Sequence, residues 1–157
     1  ALMSETLQRA GLEPQIVIGI AAAGIPLAVA ISQHTGIPAG YVRTQAKEYG
    51  MGHMVEGAWQ AGATAVLVDD VVSDGASKLE VMPPLRDAGL HVRDIVVLLD
   101  RGQGGPEMMA QHGLRCHATF TMNSVLDALL AAGHITHEQV EASKRFMREA
   151  QGAAPRL

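Results

Sequence analysis

Short apolar runs alternate with longer amphipathic stretches along this chain. Ile16-Val17-Ile18-Gly19-Ile20 has no polar position, the pattern of a strand buried on both faces rather than one. Runs at 39–43, 64–70, 94–99 and 115–121 predict four further strands, and 54–59 a return strand. Between them, apolar spacing predicts helices over 4–10, 25–35, 77–88, 123–132 and 136–150, with a short one ending at His112. Local signals agree. Ser4 is placed to cap the first helix, Pro26 sits in the first turn of the second, and Gly36 follows its end. Met82-Pro83-Pro84 interrupts the helix over 77–88, whose first turns are its secure part. Residues 44–53 carry charge and glycine without a period and read as a mobile loop, and 151–157 as a frayed end.

This alternation predicts an α/β domain of three layers, helices on both faces of a mostly parallel sheet. One connection breaks the rule. No helix fits between Tyr41 and Trp59, so the strands there are expected to form an antiparallel hairpin at the sheet edge. Ligands of open sheets bind beyond the carboxyl ends of the strands, where strand order reverses. The loops after Ile20, Arg43, Asp70 and Leu99 are therefore where chemistry is expected.

Composition narrows the classes. At 157 residues, 48% hydrophobic and 18% charged, the chain is a single domain able to bury a core, and general disorder is excluded. Aromatic residues make up 3%, so that core must be aliphatic side chains and Met. Twelve basic against sixteen acidic residues give a net charge of −4, the wrong sign for holding a nucleic-acid backbone. Cys116 is alone, which excludes an intramolecular disulfide and fits a reducing compartment. The uncharged stretch between Glu13 and Arg43 has to be tested as a membrane span. Its apolar part runs only from Ile16 to Ile31, cut by Gly19, Gly24 and Pro26, and falls short of the ~20 residues a span needs. With no basic-then-apolar leader in view, a cytoplasmic domain without a membrane partner is expected.

The strongest chemical signal is Val66-Leu67-Val68-Asp69-Asp70-Val71-Val72-Ser73-Asp74-Gly75-Ala76-Ser77. A strand runs into two carboxylates, then a loop of small residues, then a helix start. Backbone N–H groups and the Ser73 and Ser77 hydroxyls suit a phosphate. Carboxylates at a strand end suit sugar hydroxyls or a phosphate-bound Mg²⁺. The competing reading is a plain strand end followed by a Ser77–Glu80 capping box. A cap does not require Asp69 and Asp70, and the joint pattern favours a sugar-phosphate site.

That segment resembles the phosphoribosyl-pyrophosphate motif of the type I phosphoribosyltransferases. Two further segments resemble one branch, the orotate phosphoribosyltransferases. Tyr41-Val42-Arg43-Thr44-Gln45-Ala46-Lys47-Glu48-Tyr49-Gly50 is similar to its catalytic loop, and Leu98-Leu99-Asp100-Arg101-Gly102-Gln103-Gly104-Gly105 to its Asp-Arg-x-x-Gly-Gly segment. The likeness extends through His112-Gly113-Leu114-Arg115 and Lys144-Arg145-Phe146, and covers roughly residues 11 to 150, as in the phosphoribosyltransferase half of UMP synthases.

The resemblance implies transfer of phosphoribosyl from its pyrophosphate donor to orotate, with Mg²⁺ as cofactor, in a homodimer with shared sites. It implies that Asp69 and Asp70 hold the ribose hydroxyls and the associated Mg²⁺. Val71, Val72, Ser73, Asp74, Gly75, Ala76 and Ser77 would form the 5′-phosphate loop, with Ser73 also touching orotate. Arg101 would pair with the orotate carboxylate, and Ala22 and Ala23 would bring backbone N–H groups to the pyrophosphate. Arg43, Thr44, Lys47 and Tyr49 would reach the pyrophosphate of the neighbouring subunit, with Lys47, Asp69 and Asp70 as the catalytic set.

Departures qualify the match. Thr44 stands where the family usually has a second Lys, Asp74 puts a carboxylate inside the phosphate loop, and the family's N-terminal hood is expected to be largely absent from 1–157. Two competing functions follow: transfer to another base, or a non-catalytic regulator that binds the donor. The seven histidines offer no metal site, since His134 and His137 fall in a turn between helices and no pair shares a helix at ligand spacing.

Overall fold

A computed structural model describes residues 1–44 and 54–153. The elements run α1 (Leu2–Arg9), β1 (Ile16–Ile20), α2 (Gly24–Thr35), β2 (Ala39–Val42), β3 (Val55–Glu56), β4 (Thr64–Val72), α3 (Ala76–Glu80), α4 (Met82–Asp87), β5 (His91–Asp100), α5 (Gly105–Gln111), β6 (Arg115–Thr121), α6 (Met122–Ala131) and α7 (His137–Ala153). The strands form one six-stranded sheet in the order β3-β2-β1-β4-β5-β6. Every pairing is parallel except β2 with β3, where Tyr41 faces Glu56 and Val42 faces Val55. The three-layer α/β/α architecture and its antiparallel edge are as the sequence predicts.

Alternation along the strands builds the two faces. Ile16, Ile18, Leu67, Ile95 and Val97 meet Val81, Leu85 and Met109 from α4 and α5 and their approaches. Val17, Val66, Val68 and Val96 meet Met3 and Leu7 of α1 and Ala28 and Ile31 of α2 on the other side. Each such side chain taken from water contributes about 1.5–3 kcal/mol, and this aliphatic packing replaces the missing aromatics. A smaller cluster of Leu126, Val140 and Met147 joins α6 to α7.

Several boundaries differ from the sequence reading. The first helix starts at Leu2 with Ala1 at its N-cap, so Ser4 is buried inside it rather than capping it. The helix expected over 77–88 is two, broken at Val81, with the prolines in the tolerated first turn of α4. The return strand shrinks to Val55–Glu56, while Trp59 turns inward and donates its indole N–H to the Ala88 carbonyl at 3.0 Å. Helix α7 continues to Ala153, past the expected frayed end at 151.

Strand order reverses between β1 and β4: β1 leads outward to β2, and β4 leads the other way to β5. The loops leaving these two neighbours diverge, which opens a crevice at their carboxyl ends.

Candidate active site

Strand alternation separates the two carboxylates. Asp69 shares a face of β4 with Leu67 and turns into the layer of α3–α5, whereas Asp70 follows Val66 and Val68 toward the other layer. Asp69 is 5% exposed, and Asp70 is open to solvent. Lys78, itself buried in α3, donates its ammonium to Asp69 Oδ2 at 2.5 Å, and Asp69 Oδ1 accepts the Asp70 N–H at 2.9 Å. Burial pushes the Asp69 carboxyl up; Lys78 and the Asp70 N–H draw it back, and the balance stays above the usual carboxylate range. Asp70 Oδ1 accepts the Val71 N–H at 2.7 Å and leaves the rest of the carboxylate to the crevice.

Sequence reasoning missed Lys78. The signal was present: Lys78, Val81, Met82 and Leu85 follow the i, i+3, i+4, i+7 spacing of a buried stripe, with a cation at its first position. A buried charge needs a partner, and the carboxylate nine residues earlier supplies it.

Ser73, Asp74 and Gly75 join β4 to α3. Gly75 takes a φ of +85°, in the left-handed region that a side chain would resist, and serves as the N-cap of α3. The competing reading of Ser77 and Glu80 as a capping box therefore fails, because Ser77 is already inside the helix and exposed. Asp74 supplies the local bond instead, its Oδ1 accepting the Ala76 N–H at 3.1 Å. The Ser73 and Ser77 hydroxyls have no partner among the described residues. Val71 is half-buried and Val72 fully buried, so their side chains shape the loop from beneath.

The loop after β1 lies alongside. Ala22 and Ala23 are exposed at its tip, and Gly24 just after them packs against β4. Gly24 lets it sit there, since a Cβ at that position would lie 2.3 Å from the Val68 carbonyl oxygen. On the other flank, the Arg101 N–H donates to the Val72 carbonyl at 3.0 Å, tying the loop after β5 to the end of β4. Gly75 and Gly105 touch so closely that a Cβ on Gly75 would fall 2.9 Å from the Gly105 oxygen. The exposed Arg101 side chain lines a cavity of about 330 Å³ with Gln103, Met122, Ser143, Phe146 and Met147. Helix α7 thus walls the side where a base is expected, which the sequence reading did not anticipate.

Arg43 stands apart from this group. Its Nη2 donates to the Tyr41 hydroxyl at 2.7 Å and lies 3.6 Å from Glu56, and its guanidinium rests 5.1 Å from the Tyr41 ring centre. Thr44 is exposed beside it. Lys47 and Tyr49 lie outside the described residues. Among the described residues no cluster of three His, Cys, Asp or Glu could cage a metal. With Asp69 committed to Lys78, the donors fit a Mg²⁺ carried largely by a phosphate ligand and met by Asp70, not an all-protein site. Burial pushes the Cys116 thiol up to about 12, with Asp100 and Glu107 adding to the rise and Lys78 opposing it, which disfavours the reactive thiolate.

Comparison with known proteins agrees with this geometry. Residues 1–111 match the family model described as phosphoribosyl transferase domain. The chain is 40% identical over 140 residues to an orotate phosphoribosyltransferase of Pyrobaculum aerophilum, covering 88% of this chain and 72% of that one. It is 36% identical to bovine uridine 5′-monophosphate synthase over 148 residues, 94% of this chain but 31% of that protein. Among solved structures, Leishmania donovani UMP synthase superposes with a TM-score of 0.82 at 29% identity, over 94% of this chain and 32% of that one. The orotate phosphoribosyltransferase of Mycobacterium tuberculosis in complex with 5-phospho-α-D-ribosyl 1-diphosphate superposes at 0.67 with 25% identity, over 78% and 72%. The chain thus spans about a third of the UMP synthases it matches. Motif, switch-point geometry and these likenesses converge: this chain belongs to the phosphoribosyl transferase domain family and stands with its orotate phosphoribosyltransferase members.

Proposed function

We propose that this protein transfers the phosphoribosyl group of phosphoribosyl pyrophosphate to N1 of orotate, releasing pyrophosphate and forming orotidine 5′-monophosphate. The observation that carries this reading is the union at the switch point of Asp70, the Ser73–Ser77 hydroxyls and the Arg101 loop, which is docked to Val72 by a 3.0 Å backbone bond. A donor in that crevice would lay its 5′-phosphate along the loop, its ribose hydroxyls on Asp70, and its pyrophosphate toward Ala22 and Ala23. The Arg101 guanidinium suits the planar orotate carboxylate in bidentate fashion.

Departure of pyrophosphate leaves oxocarbenium-like charge at the ribose C1. Among the described residues no base is hydrogen-bonded to the Ser73 or Ser77 hydroxyl to activate it as a nucleophile, and catalysis is assigned to positioning and charge placement. Asp70 lies on the side where positive charge grows, and Lys47 is assigned to the leaving pyrophosphate. Mg²⁺ would neutralise the donor's phosphates, held by the ligand and Asp70.

The reading includes a homodimer with shared sites and a cytoplasmic location. Arg43 directly follows β2, which lies two strands from β4 and so about 10 Å away by ordinary sheet spacing. Its guanidinium bends back onto its own hairpin rather than toward β4, which supports a loop serving the neighbouring subunit. Among the described residues, no helix is long and apolar enough to cross a membrane.

The test is incubation with phosphoribosyl pyrophosphate, Mg²⁺ and a panel of bases, following pyrophosphate release. Turnover with orotate alone supports the proposal. Turnover with a purine replaces the acceptor, and donor binding without turnover on any base assigns a regulator. Sharing is tested by mixing Lys47→Ala with Asp70→Asn subunits: roughly a quarter of wild-type activity returns if sites are shared, and none if they are not.

A further inference from the structure

The carboxylate pair looks symmetrical in sequence and is not so in space. Asp69 and Lys78 flank the phosphate loop, one before it on β4 and one after it on α3, and their side chains meet beneath it. Both are nine-tenths or more buried. The bond therefore closes the segment 69–78 into a ring, with the half-buried hydroxyl-bearing loop as its arc and Asp70 and Ser77 exposed on it. Among the described residues, Asp69 is the only acceptor of the Lys78 ammonium, and Asp69 spends its second oxygen on the Asp70 N–H. Asp69 is thus buried with a bond on each oxygen, whereas Asp70 uses one oxygen on its own neighbour's N–H and keeps an exposed carboxylate.

The charge arithmetic points the same way. A phosphoribosyl pyrophosphate donor brings a phosphate and a pyrophosphate to this loop. Two bare neighbouring carboxylates would oppose it, and one carboxylate beside a neutral internal pair opposes it less. Resting on the function proposed above, we infer that Lys78 is a positioning residue of the donor site: it cancels Asp69 and pins it under the loop, leaving Asp70 as the one carboxylate of the pair that meets the ribose.

The experiment begins with wild-type protein and phosphoribosyl pyrophosphate with Mg²⁺, by titration and steady-state kinetics. Lys78→Met keeps the length of the side chain and removes its charge. It is expected to raise KM for the donor about tenfold or more, with kcat and KM for orotate within about threefold, the mark of lost donor positioning. Adding Asp69→Asn to Lys78→Met removes the orphaned charge and is expected to bring donor KM back to within about threefold of wild type. Should Lys78→Met fail to fold, Asp69→Asn against Asp70→Asn carries the comparison, with Asp70→Asn expected to be much the worse for donor binding.

Unchanged donor KM in Lys78→Met overturns the assignment. So does a double variant no better than Lys78→Met, or equal damage from the two Asp variants, because each puts Asp69 itself on the donor. Wild-type protein that binds no donor at all overturns the proposed function, and the role of Lys78 with it. Wild-type binding with unaffected Lys78→Met overturns the role of Lys78 alone.

Discussion

Two buried aspartates sit toward opposite ends of the sheet, each tied to cations, and they behave in opposite ways. At the carboxyl end, Asp69 has one ammonium partner and its carboxyl lies above the ordinary range, burial being the largest influence. Toward the amino end, Asp94 on β5 is also desolvated, but Arg115 at 2.8 Å and His117 at 2.7 Å on β6 outweigh that and hold it below the ordinary range. Asp94 has both oxygens bonded to β6 side chains, the exposed Arg115 and the half-buried His117, so its cluster is complete as it stands. The Asp69 end leaves an exposed carboxylate, two hydroxyls and an exposed guanidinium beside it. The cavity of about 500 Å³ near Asp94, lined by Glu13, Thr64, His91, Arg93 and Arg115 among others, contains none of the residues assigned to the donor or the base. Pairing quality, rather than the number of charges, distinguishes the end built for chemistry from the end built for packing.

The largest effect that could break this contrast is on turnover. Asp70→Asn is expected to cost about 10²–10³ in kcat/KM, the scale of one preorganised group serving transition-state charge. Asp94→Asn is expected to leave turnover near wild type while lowering Tm by a few degrees. Comparable losses of activity from both substitutions would erase the distinction between the two ends.

Arg101→Ala comes next. Losing a charge-assisted carboxylate contact costs about 1.5–3 kcal/mol, and it should appear in orotate affinity with donor affinity held. Separate titrations of the two ligands decide it; equal weakening of both would remove Arg101 from the base side of the crevice.

Acid stability sharpens the amino end. Because folding depresses Asp94, its contribution is fully present above the unfolded value of about 4 and is lost as pH falls through the lower folded value. Thermal melts across that window should fall less steeply in Asp94→Asn than in wild type. An unaltered slope would show that the pair with Arg115, whose side chain is 65% exposed, is screened to nothing.

The smallest effect belongs to Asp74. Its carboxylate accepts the Ala76 N–H that a phosphate could otherwise use, so Asp74→Ser is expected to hold or slightly improve donor affinity. Serine can keep a weaker version of the same turn bond. A large loss of affinity would assign Asp74 a role in ordering the loop.

Much of this was legible in the chain because β1 and the first part of β4 are apolar runs, and the carboxylate pair comes directly after the apolar part of β4. Ile16–Ile20 was legible to its ends as an unbroken apolar run, whereas the strand read as ending at Asp70 runs on through Val71 and Val72, which pair with Leu99 and Asp100. The unequal fate of Asp69 and Asp70 was not legible in the motif itself, since it depends on which helix packs over which face of β4. Lys78 escaped notice because a lysine near a helix start ordinarily points to water. Only the burial of Val81 and Leu85 on the same stripe makes its direction certain. The Ser77 capping reading failed on one backbone angle, the positive φ of Gly75. A side chain at that position would also run into Gly105, thirty residues downstream.

The same contact bears on redesign. A Cβ at Gly105 would lie 2.5 Å from Val72 Cγ2 and 2.6 Å from the Ser73 oxygen, so neither loop can gain bulk there without displacing the other. Libraries that vary residues 101–105 to change the accepted base would therefore disturb the phosphate loop whenever they touch Gly105. Diversity is better spent on Gln103, Ser143 and Phe146, which border the cavity from positions free of that constraint.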